Sequence, residues 1–146
     1  MSAEREHDVA VANVAHKMRV VVWEVHANVG DAPRRSIAVP GGATLTPDIV
    51  AFEKHTGRLA AIGAVETAAT LAAGSAEWKQ YQMLAPRFFI YVPEESLDEA
   101  TRLCRRYSIP YTALRAYYYN ARNQFVVARG WRVQQRKRAA GEPGSP

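Results

Sequence analysis

The chain has one cysteine and no apolar run longer than a β-strand, and these scarcities exclude several classes of protein. A lone cysteine provides no disulfide framework, and Cys104 lies in a helical apolar pattern that indicates a small buried residue rather than a nucleophile. A transmembrane helix needs about 18 consecutive apolar residues, so none is predicted. The charged run from Glu4 to Asp8 does not resemble a signal peptide. We therefore expect a cytoplasmic protein that is not bound to a membrane.

Three motifs that would indicate well-known chemistry are also missing. The sequence has no glycine-rich GxxxxGK[S/T] phosphate loop, no cluster of cysteine and histidine with metal-ligand spacing, and no GxSxG nucleophile turn. Nucleotide-dependent and zinc-dependent functions are therefore disfavoured.

The chain does have enough apolar residues for one core, together with a moderate excess of arginine. Its 146 residues are 48% hydrophobic, which suits a single domain over residues 1–131. The net charge of +5 favours contact with phosphate groups, because a planar guanidinium can bind two oxygens at once. Part of the charge falls in residues 132–146, which we expect to be a basic, disordered tail. Such a tail is either simply solvated or adds affinity for nucleic acid.

The first half of the chain predicts a helix followed by three strands. Residues 3–17 have apolar residues at helical spacing and an acidic first turn. Residues 19–26 (RVVVWEVH) are mostly β-branched and aromatic and predict the first strand. Residues 28–47 contain glycine and proline without any period, so we expect a long loop, a kind of segment that is often functional. Ile49–Glu53 and residues 58–67 then predict an antiparallel hairpin around a glycine-containing turn.

The second half alternates helices with strands. Ser75 is predicted to be the N-cap of a helix that Pro86 ends. Residues 88–92 (FFIYV) form a continuous apolar run, the pattern of a central strand buried on both faces. Ser96 and Glu99 have the spacing of a capping box at the start of the clearest helix. Two last strands are expected at residues 111–119 and 124–129.

This order of elements predicts an α/β domain with a mixed sheet. Hairpin strands pair antiparallel, whereas a strand that follows a crossover helix runs parallel to its predecessor. Helices should then cover both faces of the sheet. The expected architecture is an α-β-β-β-α-β core that is extended by a C-terminal helix and strands.

Two carboxylates are predicted to meet at one end of the hairpin. Asp48 enters at the start of the first hairpin strand, and Glu66 lies near the end of the second. In an antiparallel pair the start of one strand lies beside the end of the other, so the two side chains can converge on one cation. Hard oxygen ligands suit Mg²⁺ and also Mn²⁺, and such a metal promotes phosphodiester hydrolysis. The alternative is that Asp48 only turns the chain after Pro47, while Glu66 is an exposed acid at a strand end.

On these residues the sequence resembles the PD-(D/E)XK nuclease superfamily, also called restriction-endonuclease-like. The resemblance covers residues 3–92 and rests on TPDIV at residues 46–50 and IGAVET at residues 62–67. It implies a restriction-endonuclease-like mixed sheet with flanking helices and a Mg²⁺-dependent DNA endonuclease activity. It also implies that Asp48 is the metal-binding aspartate of the first motif.

The second motif of that family can be placed in two registers, and each lacks one residue. If the tripeptide is residues 64–66, Ala64 replaces the acid and Glu66 stands at the lysine position. If the tripeptide begins at Glu66, the acid is present and the lysine is missing. Positions 64 and 66 share one face of a strand, so alternation does not decide between the registers. We favour Glu66 as a catalytic metal ligand, because it is the only carboxylate on that strand, and we expect weak activity.

Four further residues are candidates for the site. Lys79, on the following helix, is the nearest replacement for the missing catalytic lysine, although a solvated lysine is the commoner role for such a residue. Gln82 lies one turn further on and is a candidate for contact with nucleic acid. Arg34 and Arg35, in the long loop, are expected to contact DNA phosphates.

Two other functions fit the same sequence. A catalytically inactive member of the nuclease fold would bind nucleic acid or a protein partner without metal. A structural or interaction module is the other alternative, because the three consecutive tyrosines at residues 117–119 cannot all face inward on a strand. At least one of them would then lie at the surface or in a contact with another subunit, as in a homo-oligomer.

Overall fold

The computed structural model describes residues 2–132, in which helices lie on both faces of a mixed six-stranded sheet. Its first half consists of α1 (Ala3–Met18), β1 (Trp23–Ala27), β2 (Ile37–Ala38), β3 (Thr44–Leu45), β4 (Ile49–Glu53) and β5 (Leu59–Val65). Its second half consists of α2 (Leu71–Gly74), α3 (Trp78–Leu84), β6 (Arg87–Pro93), α4 (Leu97–Arg106), β7 (Ala113–Tyr119) and β8 (Phe125–Arg132). Single 3₁₀ turns precede α3 and α4.

The order of the strands in the main sheet is β1-β4-β5-β6-β7-β8. Strands β1, β4 and β5 pair antiparallel, β5, β6 and β7 pair parallel, and β8 returns antiparallel to β7. The parallel pairs arise because α2 and α3 carry the chain back between β5 and β6, and α4 does so between β6 and β7. The predicted α/β class and mixed sheet are therefore confirmed. The carboxyl ends of β5, β6 and β7 lie at one edge, next to the start of β4.

Two apolar cores lie on opposite faces of this sheet, as strand alternation requires. Ile62 and Ala64 of β5 face the core under α3 and α4, whereas Ala61 and Val65 face the core under α1. Strand β6 lies between β5 and β7 and contributes buried residues to both cores. The prediction that residues 88–92 form a central, doubly buried strand is confirmed.

The first strand is shorter than predicted. Residues 19–26 have strong β-propensity, but β1 begins only at Trp23, which pairs with Glu53 at the last position of β4. The preceding residues have no further partner on β4, and the Trp23 N–H donates to the Val20 carbonyl at 3.1 Å to form a turn. Val21 in that turn is 88% exposed. Residues 19–22 therefore do not extend the sheet, because β-propensity alone does not form a strand where no neighbouring strand is available to pair.

Of the two predicted helix caps, Ser75 is wrong, whereas Ser96 does stand at the N-cap position of α4. The Ser75 hydroxyl donates to the Ala72 carbonyl at 3.0 Å, because the helical segment has already begun at Leu71. Ser96 does precede α4, but its side chain makes no capping hydrogen bond and is buried. The predicted capping box with Glu99 is therefore absent.

The segment 28–47, predicted to be a loop without regular structure, contains the β2–β3 ribbon. Ile37 and Leu45 of this ribbon pack against the core under α3. Asn28 holds the base of the segment: its side-chain amide donates to the carbonyls of Arg35 at 2.9 Å and Pro47 at 2.7 Å. Its side-chain oxygen also accepts from the Arg35 N–H at 2.8 Å. The excursion is therefore tied back beside Asp48 rather than free.

Three other predictions concern composition rather than topology. Cys104 is buried and unpaired, and burial raises the pKa of its thiol to about 12, which agrees with a packing role. Between residues 2 and 132, no helix is long and apolar enough to cross a membrane. The predicted basic tail, residues 132–146, lies outside the described residues except for Arg132, where β8 ends.

Candidate functional site

The structure brings Asp48 and Glu66 to the same end of the β4–β5 hairpin. Ile49 pairs with Gly63, so Asp48 lies just before β4, opposite the last residues of β5, and Glu66 directly follows Val65. The Val65 N–H donates to Asp48 Oδ2 at 2.8 Å. Antiparallel pairing therefore places the two carboxylates at one edge of the sheet, next to the carboxyl ends of the parallel strands.

The Glu66 side chain is removed from water and fully hydrogen-bonded. It is only 4% exposed. The Thr70 hydroxyl donates to Oε1 at 2.8 Å, and the Trp78 indole N–H donates to Oε2 at 3.2 Å. Its main chain is fixed as well: the N–H donates to the Tyr91 carbonyl at 2.9 Å, and its carbonyl accepts from the Tyr117 hydroxyl at 2.6 Å. The alternative that Glu66 is an exposed acid at a strand end is therefore wrong.

Helix α2 closes over Glu66 at a position where only glycine fits. A Cβ atom added to Gly74 would lie 2.3 Å from both carboxylate oxygens of Glu66. The backbone of Gly74 has ordinary helical angles, so the requirement comes from space rather than from conformation. The carboxylate thus lies directly against the helix backbone.

The environment of Glu66 makes its carboxyl group a weak acid. Burial, and after it the nearby negative charge of Asp48, together raise the pKa of Glu66 to about 7, although the hydrogen bonds from Thr70 and Trp78 oppose the shift. The charge of Asp48 therefore acts on the ionisation of Glu66. A carboxyl group that titrates near neutral pH can exchange a proton under physiological conditions.

His7 of α1 is the third member of this group, and the sequence analysis did not identify it. Its Nε2 atom lies 3.3 Å from Asp48 Oδ1 and 2.9 Å from the Val65 carbonyl oxygen. Its Nδ1 atom lies 3.8 Å from a carboxylate oxygen of Asp8. The hydrogen bond with Asp48 raises the pKa of His7 to about 9, although partial burial opposes this. His7 is therefore a cation at neutral pH.

One sequence signal could have found His7. It precedes Ala10, Val11 and Val14 by three, four and seven residues, the spacing of one helix face, and these three residues are buried against the sheet. A histidine at the end of an inward-facing helical stripe therefore points toward the sheet. Which strand end it meets depends on how α1 packs, and the helix pattern does not contain that information.

Asp48, Glu66 and the Val65 carbonyl offer oxygen donors whose chemistry fits Mg²⁺. All are hard oxygen donors, and Mg²⁺ commonly uses one or two carboxylates together with water and substrate phosphate. Within residues 2–132, no group of three or more His, Cys, Asp and Glu side chains is arranged to hold a metal ion. A metal at this edge would therefore rely on two carboxylates and on main-chain or solvent oxygens.

The structure does not bring Lys79 to the carboxylates. Lys79 is exposed and follows Trp78, whose side chain points to Glu66. Successive residues differ by about 100° around a helix, so the two side chains leave α3 in different directions. Gln82 is partly buried and lies one turn beyond Trp78, on the same side of α3.

The two arginines of the long segment also point away from the carboxylates. The Arg34 guanidinium donates to the carbonyls of Gly30 and Ala32 at 3.1 and 3.2 Å. The Arg35 guanidinium stacks 4.0 Å from the centre of the Phe52 ring, and it lies 3.4 Å from Glu24. Phe52 is four residues from Asp48 along the strand, or about 13 Å. Both arginines are exposed, so they border the site rather than line it.

Comparisons with known proteins find no family model, no curated protein and no solved structure that matches this chain.

The fit between Gly74 and Glu66 predicts a strong coupling between the two positions. Gly74→Ala should lower the free energy of unfolding by ~1–3 kcal/mol, because the new methyl group overlaps the carboxylate. In a Glu66→Ala background the same change should be neutral or stabilising, since alanine is the better helix former. Urea unfolding of the four proteins gives the coupling energy. Equal effects of Gly74→Ala in both backgrounds would contradict this packing.

The raised pKa of Glu66 predicts a specific dependence of stability on pH. The unfolded chain ionises Glu66 near its ordinary pKa of 4.5, whereas the folded chain does so only near 7, so stability should fall as pH rises between these values. Glu66→Gln has no carboxyl group at this position and does not lose this stability. The free energy of unfolding of Glu66→Gln minus that of the wild type should therefore increase by ~1–3 kcal/mol between pH 4.5 and pH 7.5. The exposed acid Glu99, changed to Gln, is the control and should follow the wild type. Parallel profiles for Glu66→Gln and the wild type would show that Glu66 ionises normally.

Proposed function

We propose that the chain is a PD-(D/E)XK-type DNA phosphodiesterase of low activity, dependent on Mg²⁺ or Mn²⁺, with Asp48 and Glu66 as the metal-binding pair. The observation that carries the proposal is the placement of Asp48 and a buried Glu66 at the same end of the β4–β5 hairpin, at the edge where the parallel strands end. Burying a carboxylate opposes folding, and such groups concentrate in functional sites. The succession of one helix, three antiparallel strands, helices and a parallel strand supports a restriction-endonuclease-like fold.

Each residue of the site has a definable part in this proposal. The carboxylates of Asp48 and Glu66, with the Val65 carbonyl, would hold the metal. When bound, Mg²⁺ neutralises phosphate charge and lowers the pKa of a water molecule. Thr70 and Trp78 orient the Glu66 carboxylate through their hydrogen bonds. Position and orientation of this kind are the main contribution that a protein makes to such a site.

Low activity is part of the proposal because two expected groups are missing. Ala64 stands at the acidic position of one register, and it is buried among apolar residues under α3. Lys79 is exposed and is not joined to either carboxylate by any hydrogen bond or ion pair of the described residues. Without a positioned cation, the charge that develops on the phosphate in the transition state has less stabilisation.

The proposed substrate is DNA, and the positive charge of the chain supports this choice. Arg34 and Arg35 are exposed on the segment that Asn28 ties beside the site. The net charge of +5 favours association with a phosphate backbone, an effect that salt would weaken. Guanidinium groups at the border of the site would hold DNA, whereas the carboxylates would face the bond to be cleaved.

A catalytically inactive module that binds nucleic acid or protein is the second candidate. One observation favours it: each of the four carboxylate oxygens already has a hydrogen-bond or ion-pair partner within the chain, namely the Val65 N–H, His7, Thr70 and Trp78. Such a group is satisfied without metal.

An interaction surface is available for this second function. Tyr118 and Tyr119 are 39% and 38% exposed, whereas Tyr117 is buried, as the run of three tyrosines predicted. Aromatic side chains of this kind are enriched in contacts with other proteins, including contacts between identical subunits.

Plasmid nicking tests the proposed function. We expect slow nicking of supercoiled DNA with Mg²⁺ or Mn²⁺ and none with EDTA, because the metal provides the charge neutralisation. Asp48→Asn should reduce the rate by about 100-fold or more, since it removes one metal-binding charge. Glu99→Gln, which changes an exposed acid on α4, should leave the rate unchanged. Folding of each variant is checked by circular dichroism.

The outcome of this assay separates the two candidate functions. Nicking that persists in Asp48→Asn or in EDTA would contradict the proposed metal-dependent site. Binding of DNA by the wild type, without cleavage at any metal concentration, would favour the inactive module.

A further inference from the structure

The His7 ring nitrogen lies close to two oxygens of the candidate metal site. Nε2 lies 3.3 Å from Asp48 Oδ1 and 2.9 Å from the Val65 carbonyl oxygen. Both neighbours are acceptors, so this nitrogen carries a hydrogen that is directed between them. A histidine donor therefore stands between one carboxylate oxygen and one main-chain oxygen.

His7 cannot act as a metal ligand in this arrangement. A nitrogen that donates its hydrogen has no free lone pair for a metal. The other ring nitrogen faces away from Asp48 and lies 3.8 Å from a carboxylate oxygen of Asp8. Both edges of the ring thus face carboxylates, which is the environment of a cation rather than of a ligand.

A metal and the His7 ring also need the same space. Mg²⁺ binds oxygen ligands at about 2.0–2.1 Å and demands nearly octahedral geometry. A cation bound to both Asp48 Oδ1 and the Val65 carbonyl oxygen would take the place of the His7 N–H that now contacts these two oxygens. The His7 ring can move towards solvent, because the side chain is 21% exposed and His7 lies only one turn from the start of α1.

We infer that His7 is a built-in counter-cation that competes with the divalent metal for Asp48 and the Val65 carbonyl. The inference rests on the proposed function, since it concerns the metal at that same site. Without metal, His7 compensates the charge of Asp48 and holds α1 against the sheet. Metal binding requires the ring to leave, so the measured metal affinity is lowered by the interaction that must be broken.

Isothermal titration of the full chain with Mn²⁺ tests this inference. His7→Ala should bind Mn²⁺ about tenfold more tightly than the wild type, the change expected when one charge-assisted hydrogen bond no longer competes. His16→Ala is the matched control, because His16 is an exposed histidine of the same helix, and it should bind like the wild type.

Thermal unfolding gives a second readout that does not depend on activity. In EDTA, His7→Ala should melt below the wild type, because Asp48 then lacks its cation. Saturating Mn²⁺ should raise the melting temperature of His7→Ala more than that of the wild type. If His7→Ala does not fold without metal, His7→Gln keeps a neutral donor of similar reach and should show the same direction of change in Mn²⁺ affinity.

The possible results separate the inference from the proposed function. Unchanged Mn²⁺ affinity in His7→Ala would overturn the inference, whereas the proposed metal site would still be supported by the binding of Mn²⁺. Weaker affinity would also overturn it, because His7 would then be a ligand. If neither the wild type nor His7→Ala binds Mn²⁺, both the inference and the proposed metal-dependent function fail.

Discussion

The buried carboxylate of Glu66 is the group on which this end of the molecule depends, because removing it from water must be offset by specific contacts. Thr70 and Trp78 donate to its two oxygens, and the Tyr117 hydroxyl fixes its carbonyl. Gly74 leaves room for it against α2. The side-chain contacts come from two helical segments and the main-chain contact comes from β7, so one residue links the carboxyl end of β5 to three other elements. An apolar side chain at this position would need neither Thr70 nor Trp78 as a donor.

A second carboxylate beside Glu66 creates a need for positive charge. The negative charge of Asp48 opposes the ionisation of Glu66 and contributes to the raised pKa of that carboxyl group. His7 supplies one positive charge from α1. A divalent metal would supply two, with stronger preference for oxygen ligands. At this edge of the sheet, His7 compensates the negative charge of the carboxylates in the structure. In the proposed metal-bound state, a divalent cation would compensate the same charge.

The sequence predicted the sheet better than it predicted the site. The apolar run at residues 88–92 identified the central strand, and the placement of Asp48 and Glu66 on one hairpin brought them to one end, because both follow from local pattern and pairing rules. The role of His7 depends on a contact 41 positions away along the chain from Asp48, which no local pattern contains. The directions of the Arg34 and Arg35 side chains were equally inaccessible, since they depend on how Asn28 folds the long segment back. The start of α2 was missed because Thr67 and Thr70, not Ser75, organise the turn after Glu66.

A crystal structure of the chain grown with Mn²⁺, with the metal located by its anomalous scattering, tests the proposed metal site most directly. The account predicts one strong peak within bonding distance of both the Asp48 and Glu66 carboxylates, with the His7 ring moved away from Asp48. No peak at this edge under saturating Mn²⁺, with His7 still hydrogen-bonded to Asp48, would contradict it and leave a carboxylate pair that the chain alone compensates.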